Sequence, residues 1–184
     1  LHLCHHNLES IDTKSMTTTS DTLLAEVCMA AKYEGQSIKT PYTIHQQTNN
    51  DSAAELCTVL ARSFADIGDI VRGKDPFYGN PQESTQREKL EKNLKKIFKN
   101  IKKENNPKLS TLTLEKVREY WWALNREDVW KAITCGAGES DKYFRRTCGD
   151  GKGPSQAKNK CRCSDKPNTD QVPTYFDYVP QFLR

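Results

Sequence analysis

The chain has 184 residues, of which 35% are hydrophobic and 28% are charged, and its formal net charge is +4. That length fits one domain or part of a larger one. Three Trp, seven Tyr and six Phe supply aromatic surface for a core, which argues against wholesale disorder. No run approaches the roughly 18 apolar residues of a membrane-spanning helix and no signal peptide is visible, so the sequence itself predicts neither.

The first predicted helix covers residues 20–34. Ser20 can cap its N-terminus, and Gly35 is a typical C-terminal stop. Residues 36–50 are polar and contain Pro41, which predicts a loop. Apolar residues at helical spacing define one face of the helix: Leu23, Leu24, Val27, Cys28 and Ala31.

The second predicted helix begins near Asp51, where Ser52 followed by Glu55 forms a capping-box pattern. Gly73 is expected to end it, and a turn-rich link follows over residues 74–81. Its apolar face is predicted to comprise Leu56, Val59, Leu60, Phe64, Ile67 and Val71.

Two further helices are predicted at about residues 81–104 and 113–134. Residues 149–172 predict a loop ordered mainly by its cysteines, and no segment predicts an extended sheet. The fold class is therefore all-α, with long irregular loops. The predicted buried faces are Leu90, Leu94, Ile97, Phe98 and Ile101 in the third helix, and Val117, Tyr120, Trp121, Leu124, Val129, Trp130 and Ile133 in the fourth.

Two groups in these helices have both a structural and a functional interpretation. The tryptophans could stack on sugar rings, but core packing is favoured. Because Trp121 is followed directly by another tryptophan, the two indoles point in different directions and one could be more exposed. Asp66 and Asp69 have no histidine or nucleophile at a matching spacing, so acid–base catalysis is not favoured. We expect an exposed intrahelical ion pair of one of them with Arg72 or Lys74, worth about 0.3–0.5 kcal/mol.

The cysteines indicate an oxidising compartment, because seven are many for a chain of this size. Their odd number means that at least one has a partner outside the chain or remains a free thiol. Cys4 lies among three histidines, but no Cys-x-x-Cys pair matches a structural zinc pattern, so no metal or cofactor is expected. No phosphate loop, zinc helix or nucleophile elbow is present, so an enzyme is not predicted.

Positive charge is concentrated in residues 87–104, which contain eight basic residues and only three glutamates. Lysines at a fixed pitch could bind sulfate groups along a polymer, gaining from counterion release. The alternative is a solvated helix face. Nucleic acid is disfavoured because no aromatic residues interleave with the lysines. Arg145 and Arg146 begin a second basic region, which either contacts a partner or only keeps the loop soluble. The region continues through Lys152, Lys158, Lys160 and Arg162.

Six stretches, in their order and spacing, resemble the alpha-class Duffy-binding-like domain of the malaria variant erythrocyte membrane proteins. They read EVCMAAKYEG (26–35), VLARSFADIGDIVRGKD (59–75), KVREYWW (116–122), DVWKAI (128–133), CRC (161–163) and QVPTYFDYVPQFLR (171–184). The resemblance implies a disulfide-stapled helical bundle that is incomplete at both ends. Residues 1–50 would be the end of a first subdomain, and residues 51–184 a helical second subdomain truncated before a third.

The resemblance also implies adhesion to host receptors from the surface of the infected erythrocyte. The expected partners are a sulfated glycan such as heparan sulfate, a blood-group sugar or a glycoprotein, together with antibodies. The alternative is a structural, antigenically variable scaffold segment without a receptor site of its own. The residues expected to contact the receptor are Lys92, Lys95, Lys96, Lys99, Lys102, Lys103, Arg145 and Arg146.

Disulfide pairing is also an expectation from the family. Cys57 is expected to pair with Cys161 or Cys163, and Cys135 with Cys148. Cys4 could pair outside the chain, which would leave Cys28 for the other member of the 161/163 doublet. The rival pairing joins Cys4 to Cys28.

Overall fold

The computed structural model describes residues 18–49, 54–75, 81–149, 153–163 and 172–184. Four helices dominate it, which confirms the all-α class: α1 (Thr19–Asn49), α2 (Ala54–Arg72), α3 (Pro81–Glu104) and α4 (Leu114–Ile133). Two antiparallel strands of two residues each, β1 (Cys148–Gly149) and β2 (Pro154–Ser155), were not predicted. Two short 3-10 helices follow, at Phe176–Tyr178 and Gln181–Leu183.

Helix α1 is longer than predicted, because it continues through Gly35 and Pro41 to Asn49. The loop predicted for residues 36–50 is therefore wrong over its described part. Gly35 is buried against α4, and a Cβ atom there would collide with the carbonyl oxygen of Ile133. This glycine lets two helices approach closely instead of ending one.

Helix α2 ends where the sequence predicts, and its predicted capping box at Ser52 lies outside the described residues. Gly73 adopts a φ of +73°, which favours glycine, and a Cβ atom there would stand 2.9 Å from the Arg118 guanidinium carbon. Arg118 is buried, and it donates to the carbonyl oxygens of Ile70 (3.0 Å) and Val71 (2.6 Å). An arginine of α4 therefore caps the last carbonyl groups of α2, and the Ile70 carbonyl also accepts from the backbone N–H of Gly73 at 3.1 Å.

Helix α4 lies at the centre of the bundle. Helix α1 runs in the same direction, since Ser20 accepts a hydrogen bond from Trp121 at one end and Gly35 meets Ile133 at the other. Helix α2 runs in the opposite direction, since its C-terminal end meets Arg118 while Phe64, further back, packs edge-on against Trp130 at 5.2 Å.

The buried face of α3 is the predicted one, but that of α4 differs from the prediction. Tyr120 and Leu124 are exposed, whereas Arg118 and Arg126 are buried. The reason is that α4 is packed by three other helices, and its arginines reach acceptors inside the bundle. Val59 of the predicted α2 face is also exposed.

All three tryptophans are buried, as core packing requires, and the expectation that one of the adjacent pair would be more exposed is wrong. Each indole N–H has an acceptor: Trp121 donates to Ser20 Oγ, Trp122 to Asp177 Oδ2 and Trp130 to the carbonyl oxygen of Cys161, at 3.0, 2.9 and 3.1 Å respectively. The tryptophans are therefore unavailable for stacking on a sugar.

The Cys57–Cys161 disulfide confirms one of the two predicted pairings. It spans 104 residues of sequence, for which the chain-entropy model gives about 4.7 kcal/mol. The predicted Cys135–Cys148 bridge is wrong, because Cys148 pairs with Cys163. The short β1–β2 pair leads the chain back from Cys148 towards the residue 161–163 turn, which brings the two sulfurs together.

Two cysteines among the described residues carry free thiols. Cys135 is exposed, just past the end of α4, and Cys28 is half-buried on α1. Both predicted pairings of Cys28, with the 161/163 doublet and with Cys4, are therefore wrong. Burial and the charge of Asp128 raise the pKa of Cys28 to about 11. Cys4 lies outside the described residues, so its partner stays a prediction.

The predicted Asp69–Arg72 ion pair is present at 3.0 Å, but it is buried and not exposed. Arg72 also donates to the backbone carbonyl oxygen of Asp177, which holds the C-terminal segment against α2. Arg184 binds Asp66 at 3.1 Å and also pairs with Asp69. Burial raises the pKa of both aspartates, and the charge of Arg184 opposes that rise.

Candidate receptor-binding surface

One face of α3 carries a row of exposed lysines. Their spacing of three and four residues places them on one side of a helix with 3.6 residues per turn. They lie opposite the apolar residues that α3 buries against the core. At a rise of 1.5 Å per residue the row is about 21 Å long. We call it the lysine stripe, and it comprises Lys89, Lys92, Lys96, Lys99 and Lys103.

The stripe is not neutralised by the glutamates of the same helix. Glu91 accepts two hydrogen bonds from Arg118, at 2.8 and 3.0 Å, and Lys95 lies 3.5 Å from it. Burial acts to raise the pKa of Glu91, but Arg118 and Lys95 outweigh it, and the pKa is lowered from its usual value. Glu104 accepts a hydrogen bond from the backbone N–H of Thr19 at 3.1 Å.

Within the part of the chain that the structure describes, no stripe lysine has an ion-pair partner. Glu88, which is exposed four residues before Lys92, is the remaining glutamate of this charged segment, so the five stripe lysines still give the surface a net positive charge that suits an anionic partner.

Two of the six predicted lysines do not belong to the stripe. Lys95 points to the side and pairs with Glu91. Lys102 is half-buried and donates to the carbonyl oxygen of Leu112 at 2.7 Å, which fixes the α3–α4 connection. Lys89, absent from the predicted contact residues, completes the stripe, and its spacing from Lys92 and Lys96 could have identified it.

A groove of about 410 Å³ lies at the C-terminal end of the stripe. The last turns of α3 form one wall and the following loop forms the other. The lining residues are Lys96, Lys99, Asn100, Lys102, Lys103, Asn106 and Ser110. This groove combines positive charge with neutral hydrogen-bonding groups, which the charge pattern of the sequence did not indicate.

Arg145 and Arg146 are exposed but lie apart from the stripe. They precede β1, and the guanidinium of Arg145 lies 5.2 Å from the ring centroid of Phe144. This loop region packs on the second half of α4, where Arg162 donates to the carbonyl oxygen of Lys131 at 2.8 Å. Helix α3 instead contacts the first half of α4, with Phe98 at 5.9 Å from Trp121.

Trp121 and Lys131 are ten positions apart on α4, which corresponds to about 15 Å along the axis. The two predicted basic regions therefore lie near different halves of α4.

The described residues contain no group of three or more potential metal-ligating side chains, and the histidines near Cys4 lie outside them. None of the described helices is long and apolar enough to cross a membrane.

The Duffy binding domain family model matches residues 1–184, so the chain belongs to the Duffy binding domain family. Among solved structures, it is similar to the NTS-DBL1(alpha-1) domain of Plasmodium falciparum membrane protein 1 (PfEMP1) from the varO strain, with 39% identity and a TM-score of 0.75. That match covers 99% of this chain and 40% of the other. The predicted alpha-class resemblance is thereby confirmed. A search of curated proteins gave no match.

Two more distant neighbours were solved in complex with a receptor. The PfEMP1 IT4var13 DBLbeta domain bound to ICAM-1 has 27% identity and a TM-score of 0.67, with 99% of this chain and 40% of that chain covered. The DBLb domain of PF11_0521 PfEMP1, bound to human ICAM-1, has 26% identity and a TM-score of 0.58, with coverages of 98% and 36%. The present chain thus spans well under half the length of these relatives.

Proposed function

We propose that this chain is part of a host-receptor-binding adhesion module, displayed on the surface of the infected erythrocyte, with a binding and not a catalytic role. Family membership over all 184 residues supports this, as do the two DBL-beta neighbours bound to ICAM-1. In this proposal residues 1–50 are the end of a first subdomain and residues 51–184 a second.

We further propose that the lysine stripe contacts a sulfated glycan on the host cell. The observation that carries this is the row of exposed lysines, none of which has an ion-pair partner among the described residues, on a helix whose opposite face is packed into the core. A rigid row of ammonium groups can bind successive sulfates with little reorganisation, and release of counterions favours the complex. In this proposal Arg145 and Arg146 form a separate, smaller contact, because their loop lies near the second half of α4 and the stripe helix near the first half.

Elution from a heparin column in a salt gradient tests the stripe. The test variant reverses the charge of Lys92, Lys96 and Lys99. The matched control reverses three exposed lysines outside α3 and therefore has the same net charge: Lys32, Lys142 and Lys158. We expect the test variant to elute at much lower salt than the control, because only it removes charge at the binding surface.

Equal loss of retention by the two variants would mean that net charge and not the stripe governs binding. A wild-type chain that heparin does not retain would favour the alternative of a structural, antigenically variable scaffold segment. A variant reversing Arg145 and Arg146 measures the separate contribution of the loop. We expect it to be smaller than that of the stripe, because only two charges are involved.

A further inference from the structure

The groove at the end of the lysine stripe differs from the rest of the stripe in its chemistry. Besides Lys96, Lys99 and Lys103 it presents the side-chain amides of Asn100 and Asn106. Within the described ranges neither amide has a hydrogen-bond partner. Asn100 is half-buried and lies one helical turn from both Lys96 and Lys103. The side chains of three lysines, and those of two asparagines without a side-chain hydrogen-bond partner among the described residues, therefore line one small volume.

The walls of this groove are held in place by hydrogen bonds that do not use those donors. Lys102 donates to the carbonyl oxygen of Leu112 at 2.7 Å, and Ser110 Oγ donates to the carbonyl oxygen of Pro107 at 2.8 Å. The amide of Asn105 donates to the carbonyl oxygen of Ile101 at 2.9 Å. The loop is thus attached to α3 before any ligand arrives, which reduces the entropy lost on binding.

The groove lies at the C-terminal end of α3, where the helix dipole places partial negative charge. That end repels an anion, so the attraction of the lysines must exceed the repulsion from the helix dipole. Ammonium groups attract any anion in much the same way, because they are compact charges with rotatable donors. Amide N–H groups are directional, and they favour an anion that offers additional acceptor atoms in a suitable geometry.

We propose that this groove is a subsite for one sulfate monoester of a glycan chain whose remaining anionic groups lie along the stripe. The inference rests on the proposed function of the stripe and adds a determinant of specificity to it. Lys96, Lys99 and Lys103 supply attraction, and Asn100 and Asn106 discriminate. The three terminal oxygens of a sulfate ester can accept from ammonium and amide groups together, whereas a carboxylate has two.

The test measures the affinity of the whole 184-residue chain, with both disulfides formed, for two probes by titration calorimetry at several salt concentrations. One probe is a heparin oligosaccharide, and the other is an oligogalacturonate that carries only carboxylates. The test variant is Asn100→Ala with Asn106→Ala. The control removes two exposed amides from the first turns of the same helix, Gln82→Ala with Gln86→Ala.

We expect the asparagine variant to bind the heparin oligosaccharide about tenfold more weakly, the effect of roughly 1.4 kcal/mol of lost hydrogen bonding. Its affinity for the oligogalacturonate and the slope of log affinity against log salt should not change, because no charge is removed. The glutamine variant should resemble the wild type with both probes.

The subsite is refuted if the asparagine variant binds heparin as the wild type does, or loses affinity equally for both probes. Failure of the stripe itself looks different, because reversal of Lys92, Lys96 and Lys99 would then weaken heparin binding no more than reversal of Lys32, Lys142 and Lys158. Helicity and melting temperature are compared first. If the double asparagine variant is not folded, the single Asn106→Ala variant is measured instead, since Asn106 lies outside the helix and is exposed.

Discussion

Replacement of Asp177 by alanine should destabilise the fold strongly, because its carboxylate is fully buried and compensates a buried arginine. Arg126 donates to both carboxylate oxygens, at 2.8 and 2.9 Å, and Trp122 donates to one of them at 2.9 Å. A further N–H of Arg126 donates to the carbonyl oxygen of Thr174 at 2.8 Å. Asp177 thus joins α4 to the C-terminal segment.

The expected loss follows from what the substitution leaves behind. Without the carboxylate, the buried guanidinium of Arg126 loses the anion that accepts from two of its nitrogens, and the indole N–H of Trp122 loses its acceptor. Breaking a buried pair in this way costs about 3–5 kcal/mol. Asp128 provides the matched control, because its side chain is 56% exposed and lies 3.8 Å from Lys131. Its replacement by alanine should cost less than about 1 kcal/mol.

Urea unfolding with both disulfides intact, followed by circular dichroism and tryptophan fluorescence, measures both losses. Domains of this kind are stable by about 5–15 kcal/mol, so the Asp177 variant should show a large fall in midpoint with an unchanged slope. Replacing Arg126 by methionine together with Asp177 by leucine should recover part of the stability, because no buried charge is left unpaired. The reasoning is refuted if the Asp177 and Asp128 variants lose the same amount.

Three further predictions concern other parts of the bundle. Gly35→Ala should cost about 1–3 kcal/mol through overpacking against α4, even though alanine favours helix by about 1 kcal/mol, and urea unfolding measures it. Iodoacetamide near pH 8, followed by mass mapping, should label exposed Cys135 well before Cys28, whose raised pKa leaves little thiolate. The lowered pKa of Glu91 means that its pairing with Arg118 stabilises the fold above the usual glutamate pKa of 4.5. The stability difference between the wild type and Glu91→Gln should therefore shrink as the pH falls below that value.

The Gly35 prediction has a control in the same chain, and each of the three has an outcome that would contradict it. Gly136→Ala should be almost neutral, because a Cβ atom there would meet only a lysine side-chain carbon at an ordinary 3.5 Å. An equal cost at both glycines would contradict the close-approach argument. Similar labelling rates for the two thiols would mean that Cys28 is not shielded. A stability difference for Glu91→Gln that stays constant between pH 7 and pH 3 would show that its charge does not contribute.

Much of the helical structure could be predicted from the sequence because it is local. The apolar stripe from Leu90 to Ile101 repeats at helical spacing, and it defined both the extent and the buried face of α3. The same spacing implies the lysine stripe on the opposite face. Lys89 belongs to the stripe through its position around the helix, which a count of charges along the chain does not reveal.

Other features could not be predicted, because the residues that cause them lie far apart in the sequence. Gly35 has the local properties of a helix stop, but its neighbour is the carbonyl of Ile133, so α1 continues. The disulfide partner of Cys148 is Cys163 because the chain turns back between them. The buried guanidinium of Arg126 donates to acceptors that lie about 50 positions later in the chain.

The helical class, the family and the lysines of α3 can therefore be predicted from the residues alone, because periodicity and motifs act over a few turns. The disulfide connectivity, the buried charges and the groove beside Asn106 depend on which segments meet across the bundle, and only the tertiary structure determined them.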